Sequence, residues 1–109
     1  METIVFKEEE GDFDKLIAEH KNTPTFVDFH ATWCGPCKAL KPALEKQCKE
    51  NGFTLITCDV DDNPDLSEKF EVQGTPYVML YVKGEKVFDF IGFKQDKLNE
   101  AVEVAKKGK

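Results

Sequence analysis

Residues 32–38 read Thr-Trp-Cys-Gly-Pro-Cys-Lys, directly after the apolar stretch Thr25-Phe-Val-Asp-Phe-His-Ala31. Two thiols at this spacing suit a zinc site, a structural disulfide or a redox couple. On a helix, residues i and i+3 share a face with Cβ atoms about 5–6 Å apart, so a small adjustment in the first turn lets the sulfurs bond. Such a pair opens and closes without refolding the domain. Position also makes the sulfurs unequal. Free N–H groups and the helix dipole at the N-terminus stabilise a thiolate at Cys34. Cys34 is expected to be exposed beside Trp33, and Cys37 to point inward. Pro36 is tolerated in the first turn, where its missing N–H costs little. Asp28, inside the apolar strand, is a candidate proton acceptor for Cys37, because burial raises a carboxyl pKa.

The other two cysteines add little to a metal reading. Cys48 falls on the inward face of the long helix and Cys58 in an apolar strand, so both are expected to be buried structural thiols. They lie ten positions apart on different elements, unlike the second closely spaced ligand pair of a structural zinc site. No metal and no cofactor is expected.

The elements that must position these residues follow from apolar period and breakers. Ile4 to Phe6 reads as a short strand. Asp12 caps a helix with Phe13, Leu16, Ile17 and His20 on its apolar face, broken by Asn-Thr-Pro at 22–24. Thr25 to Ala31 is a strand. Cys34 to about Glu50 is a long helix with Cys37, Leu40, Leu44 and Cys48 inward and Pro42 inside, ended by Asn51-Gly52. A strand over Phe53 to Val60 and a short helix from Pro64 come next. Tyr77 to Val82 and Lys86 to Ile91 flank Lys-Gly-Glu as a hairpin. Asp96 caps a last helix with Leu98, Ala101, Val102 and Ala105 inward. The order β-α-β-α-β-α-β-β-α predicts an α/β domain: a central mixed five-stranded sheet with four helices covering both faces.

Size and charge narrow the function. The 109 residues fit one domain, and 40% are hydrophobic with nine Phe among them, enough for a core without disulfide staples. Net charge is −6, and every basic residue is Lys. An acidic chain without Arg is poorly suited to nucleic acid. No apolar run approaches the roughly 20 residues needed to span a bilayer, and the acidic start does not look like a signal peptide. A cytoplasmic protein is expected, where a close cysteine pair is more often catalytic or metal-binding than structural.

With Trp-Cys-Gly-Pro-Cys placed between a buried strand and a helix, the chain resembles the thioredoxin family over nearly its whole length. The motifs VDFHATWCGPCK, Pro42, VDDNP, GTPY, KGE and Gly92 follow the family's order and spacing. The resemblance implies the thioredoxin fold and protein-disulfide reduction by dithiol exchange. It implies Cys34 as nucleophile, Cys37 as resolving thiol and Asp28 as buried acid. Pro76 would be a cis-proline beside the disulfide, although local sequence alone favours an ordinary trans turn there. Trp33, Gly35, Pro36, Thr75, Pro76 and Gly92 would frame a shallow substrate surface, with the Thr75 backbone pairing with an extended client. Thioredoxin itself supplies the reference thiol pKa of about 7, against about 8.5 for free Cys, a difference of roughly 2 kcal/mol. Its potential of about −270 mV lies below the roughly −220 to −260 mV of extracted cytosolic glutathione, so the protein would donate electrons.

The chain has no dinucleotide fingerprint. The resemblance therefore implies an external NADPH-dependent thioredoxin reductase and disulfide-containing client proteins, with the domain acting as a monomer. Two rivals share the same fold: a disulfide isomerase or oxidase domain, and a protein that binds a partner in one redox state without turnover. The chain departs from common family patterns at His30, where bacterial members carry Trp, at Thr57, where they carry a Lys beside the buried acid, and at Tyr77, where Thr is usual. Asn63, Phe70 and Gly74 stand where mammalian cytosolic members have extra cysteines, so disulfide dimers of that kind are not expected.

Overall fold

A computed structural model describes residues 1–108. Five strands and four helices alternate as expected: β1 Glu2–Val5, α1 Phe13–Glu19, β2 Thr25–His30, α2 Gly35–Asn51, β3 Thr54–Asp59, α3 Pro64–Lys69, β4 Tyr77–Val82, β5 Glu85–Ile91 and α4 Gln95–Gly108. The strands form one sheet in the order β1-β3-β2-β4-β5. The first three are parallel, and β4 and β5 run antiparallel to their neighbours. β1 and β5 are therefore the edges.

The central strands are apolar on both faces, which is what a sheet covered twice requires. One layer packs Phe26, Leu55, Val78, Leu80 and Phe90 against Leu40, Leu44 and Cys48 of α2 and Leu98, Ala101, Val102 and Ala105 of α4. The other packs Val27, Phe29, Ile56, Cys58 and Met79 against Phe13 and Ile17 of α1, Leu66 of α3 and Phe6. Each fully buried aliphatic or Phe side chain contributes on the order of 1.5–3 kcal/mol. Asp28 has the parity of Phe26, so it faces the α2 layer.

Local chemistry sets the ends. Asp12 caps α1 by accepting the Lys15 N–H at 3.2 Å. Gly52 ends α2 in the left-handed region at φ 70°, a conformation cheap only without a Cβ. Lys83 and Gly84 both have positive φ (56° and 83°), the twisted two-residue turn that joins β4 to β5.

Several element bounds shift: Glu85 pairs with Val82 and joins β5, leaving Lys83-Gly84 as the turn in place of Lys-Gly-Glu, and β2, α2 and β3 lie within a residue of their expected bounds. The first strand is Glu2–Val5 rather than Ile4 to Phe6, because Phe6 leaves the edge to enter the core at 6% exposure. Asp96 lies in the first turn of α4 rather than capping it; the Lys94 carbonyl accepts the Lys97 and Leu98 N–H groups and so starts the helix.

α3 is too short to hold itself. Its N-cap Asn63 makes no side-chain capping bond. Instead Glu8, from the segment after β1, accepts the Asp65 N–H at 3.2 Å and the Leu66 N–H at 2.9 Å. Asn63 turns inward and bonds to the Phe6 and Asp59 carbonyls, while its own oxygen accepts the Glu8 N–H.

Candidate active site

β2 delivers the chain to the start of α2. Cys34 keeps an extended backbone (φ −95°, ψ 112°) and forms the N-cap; Gly35 and Pro36 open the first turn. Cys34 and Cys37 are joined in a disulfide with Cα atoms 5.4 Å apart, within the usual span for such a bond. Cys34 Sγ accepts the Cys37 N–H at 3.2 Å, as a capping oxygen would. The nucleophile candidate thus receives a free helix donor and stands at the positive end of the dipole.

The expected exposure of Cys34 is overturned. It keeps only 5% of its surface, the same as Cys37. The exposed member of the motif is Trp33, at 71%. A capping side chain must fold back over the helix end to reach its donor, and that packs the sulfur against Ala31, Cys37 and Val60. The asymmetry between the two thiols therefore lies in hydrogen bonding and helix position, since exposure does not separate them. Val60, in the VDDNP stretch, was not picked out as a site residue. Its N–H bonds the His30 carbonyl at 2.9 Å, which holds it beside the disulfide.

The register of β2 with β4 places the second half of the site. Phe29 pairs with Tyr77, so Pro76 lies level with the end of β2, next to the segment leading into Cys34. The Thr75–Pro76 peptide bond is cis. The Pro76 carbonyl accepts the Gly92 N–H at 2.7 Å, tying the β5–α4 connection to the proline. Gly92 has φ 82°, where a Cβ would be strained. Gly35 and Pro36 are exposed, Thr75 and Gly92 half-buried, and Pro76 buried. Tyr77, one of the departures, packs its ring on Phe29 with centroids 6.0 Å apart. Its hydroxyl donates to Asp89 Oδ2 at 2.6 Å, and Lys86 Nζ donates to the same carboxylate at 3.1 Å.

Behind the disulfide is a cavity of about 450 Å³. Asp28 and Cys37 both line it, together with His30, Lys38, Lys41, Glu45, Thr57, Asp59 and Asp62. Asp28 is 3% exposed, and its Oδ1 is buried without a hydrogen-bond partner among the described residues. Burial pushes its carboxyl up to about 7; Lys41 pulls it down and Glu45 pushes it further up. The carboxyl therefore changes protonation near neutrality, which is what a group exchanging protons with a thiol needs. Thr57 pairs with Asp28 across the β2–β3 ladder and brings no charge. The cation instead comes from α2, at Lys41.

Cys48 and Cys58 are fully buried and free, and burial pushes both thiols up to about 12. Among the described residues no group of three or more His, Cys, Asp or Glu could hold a metal ion. None of their helices is long and apolar enough to cross a membrane.

A mixed sheet that presents an oxidisable pair of thiols where a strand enters a helix, with a cis-proline at the start of the adjacent strand, defines a dithiol domain of the thioredoxin fold. The chain belongs to the thioredoxin family, whose sequence model, Thioredoxin, matches residues 3–104. It is 40% identical over 102 residues to the mitochondrial thioredoxin of Rattus norvegicus, covering 91% of this chain and 61% of that protein. It is 43% identical over 75 residues to the bifunctional thioredoxin reductase/thioredoxin of Mycobacterium leprae (strain TN), covering 67% of this chain and 16% of that one. The chain thus spans less than two thirds of the length of either relative. The crystal structure of reduced Schistosoma mansoni thioredoxin pre-protein aligns with a TM-score of 0.86 at 31% identity, covering 96% of this chain and 99% of that one.

Proposed function

We propose that the chain is a protein-disulfide reductase that works by dithiol–disulfide exchange. The observation that carries this is the Cys34–Cys37 disulfide at the N-terminus of α2, with Cys34 Sγ taking the Cys37 N–H. In the reduced protein the Cys34 thiolate attacks one sulfur of a client disulfide. The client S–S bond breaks, its second sulfur leaves as a thiolate, and a mixed disulfide forms. Asp28, as carboxylate, takes the proton of the Cys37 thiol through the cavity both line. Cys37 then attacks Cys34 Sγ, the client leaves as its dithiol, and the ring closes. Two electrons pass from the Cys34–Cys37 dithiol to the client.

Trp33, Gly35 and Pro36 on one side and Thr75, Pro76 and Gly92 on the other form the client surface in this reading, with the Thr75 backbone pairing with an extended segment. The cycle needs an external reductant, and an NADPH-dependent thioredoxin reductase fills that role. A relative that carries reductase and thioredoxin in one protein supports the pairing. The domain acts as a monomer in a reducing compartment, with the cytoplasm proposed here; Cys48 and Cys58, buried and free, fit such a compartment. A mitochondrial relative sets the competing location, which cell fractionation decides.

The deciding assay is insulin reduction coupled to thioredoxin reductase and NADPH. The wild-type chain should turn over, and Cys34→Ser should abolish turnover. Undiminished activity in Cys34→Ser, or a measured potential near −180 mV as in an isomerase, would overturn the reading.

A further inference from the structure

Burial is the largest influence on the Asp28 carboxyl, and the charges around its cavity act on top of it. From β2 the wall contributes His30, and from β3 Thr57 and Asp59. Cys58, on the opposite face of β3, feels the Asp28 charge through the sheet. β1 contributes Thr3, and the segment before α3 Asp62. β4 places the apolar Val78 opposite Asp28. The rest come from α2: Cys37, Lys38, Lys41 and Glu45.

Cys37, Lys41 and Glu45 are spaced four apart, which puts them on one stripe of the helix. The resolving thiol, a cation and an anion therefore succeed one another along the same cavity wall. Lys41 is exposed and Glu45 half-buried, and both line the cavity. No ion pair within 4 Å joins Lys41 to Asp28 among the described residues. Their influence acts across the cavity, where water has room to connect the groups.

We propose that Lys41 is a positioning residue for the resolving step: from α2 it supplies the positive charge that holds Asp28 ready to take the Cys37 proton, and Glu45 opposes it from the next turn. The proposal rests on the assignment of Asp28 as the proton acceptor. Proton balance is simple. Asp28 receives one proton from Cys37, the Cys34–client bond breaks as the Cys34–Cys37 bond forms, and Asp28 then loses its proton through the cavity. In this arrangement a helix lysine does what a charged residue at position 57 would otherwise do from the sheet.

The test uses the full-length reduced protein in two measurements. One follows the Asp28 carboxyl carbon by ¹³C NMR through a pH titration. The other records the pH profile of insulin reduction. Lys41→Gln should move both midpoints to higher pH by about half a unit or more, slowing turnover about threefold on the acid side. Glu45→Gln should move them the other way, and Lys41→Arg should restore wild-type behaviour. Unmoved midpoints in Lys41→Gln, or a shift that Lys41→Arg shares, would remove Lys41 from the mechanism. Asp28→Asn tests the underlying assignment separately. It should slow turnover and erase the inflection; wild-type rates at all pH values would remove Asp28 itself, whatever Lys41 does.

Discussion

Asn63 and Asp28 are both shut away from solvent, at 0% and 3% exposure. Asn63 has a partner at each polar atom of its amide: two carbonyls accept from its nitrogen and one N–H donates to its oxygen. Asp28 leaves Oδ1 unpartnered and faces a cavity. A neutral, fully bonded group rigidifies a junction. An ionisable, under-bonded group costs stability, and in this protein it shares a cavity with Cys37, the proposed resolving thiol. The contrast separates a polar residue bonded into the structure from one to which the proposed mechanism gives chemistry.

The sharpest way to break that contrast is a stability profile in pH. Asp28 holds its proton up to about 7 in the folded chain, against 3.8 as its ordinary value. The stability it contributes is full below about pH 4 and is lost as pH rises to about 7, because the unfolded chain ionises first. Three pKa units at about 1.4 kcal/mol each make this roughly 4 kcal/mol. Asp28→Asn should remove that slope, so denaturant melts should show the variant gaining on wild type from pH 4 to pH 8 by that order. Parallel curves would show that Asp28 is not buried with a raised pKa. Asn63→Ala should go the other way, losing about 3 kcal/mol at every pH for three broken bonds and stranded partners. A loss below about 0.5 kcal/mol would mean the junction does not depend on it. Smaller still, Glu8→Gln should cost about 0.5–1 kcal/mol by removing a charge from the start of α3, and added salt should shrink the difference. A Glu8→Gln loss as large as that of Asn63→Ala would put the anchor of α3 at the carboxylate instead.

The two residues also differ in how well the sequence announced them. Asp28 stands out as the one acid in an apolar strand, and every element order and inward helix face around it follows from period and breakers. Asn63 looks like an ordinary loop residue before Pro64, because its partners at Phe6 and Glu8 lie more than fifty positions away. Long-range partners leave no local trace. The same reason hides Lys41 and Glu45, which nothing local singles out until α2 is laid over β2 and β3. Burial of Cys34 escaped for a different reason: an N-cap position implies accessibility, yet the capping bond itself folds the sulfur inward. The cis bond before Pro76 was legible only through family resemblance, since nothing in Gly-Thr-Pro-Tyr alone distinguishes it from a common turn.

The sheet leaves two rims, and each is guarded differently. β1 has only four residues, too few to seed a long ladder. β5 is longer, but it carries the exposed charges Glu85, Lys86 and Asp89, which a stray strand would have to desolvate. For a molecule whose proposed work pairs its backbone with an extended client segment beside Thr75, charge on β5 disfavours a second, misplaced strand at the far rim.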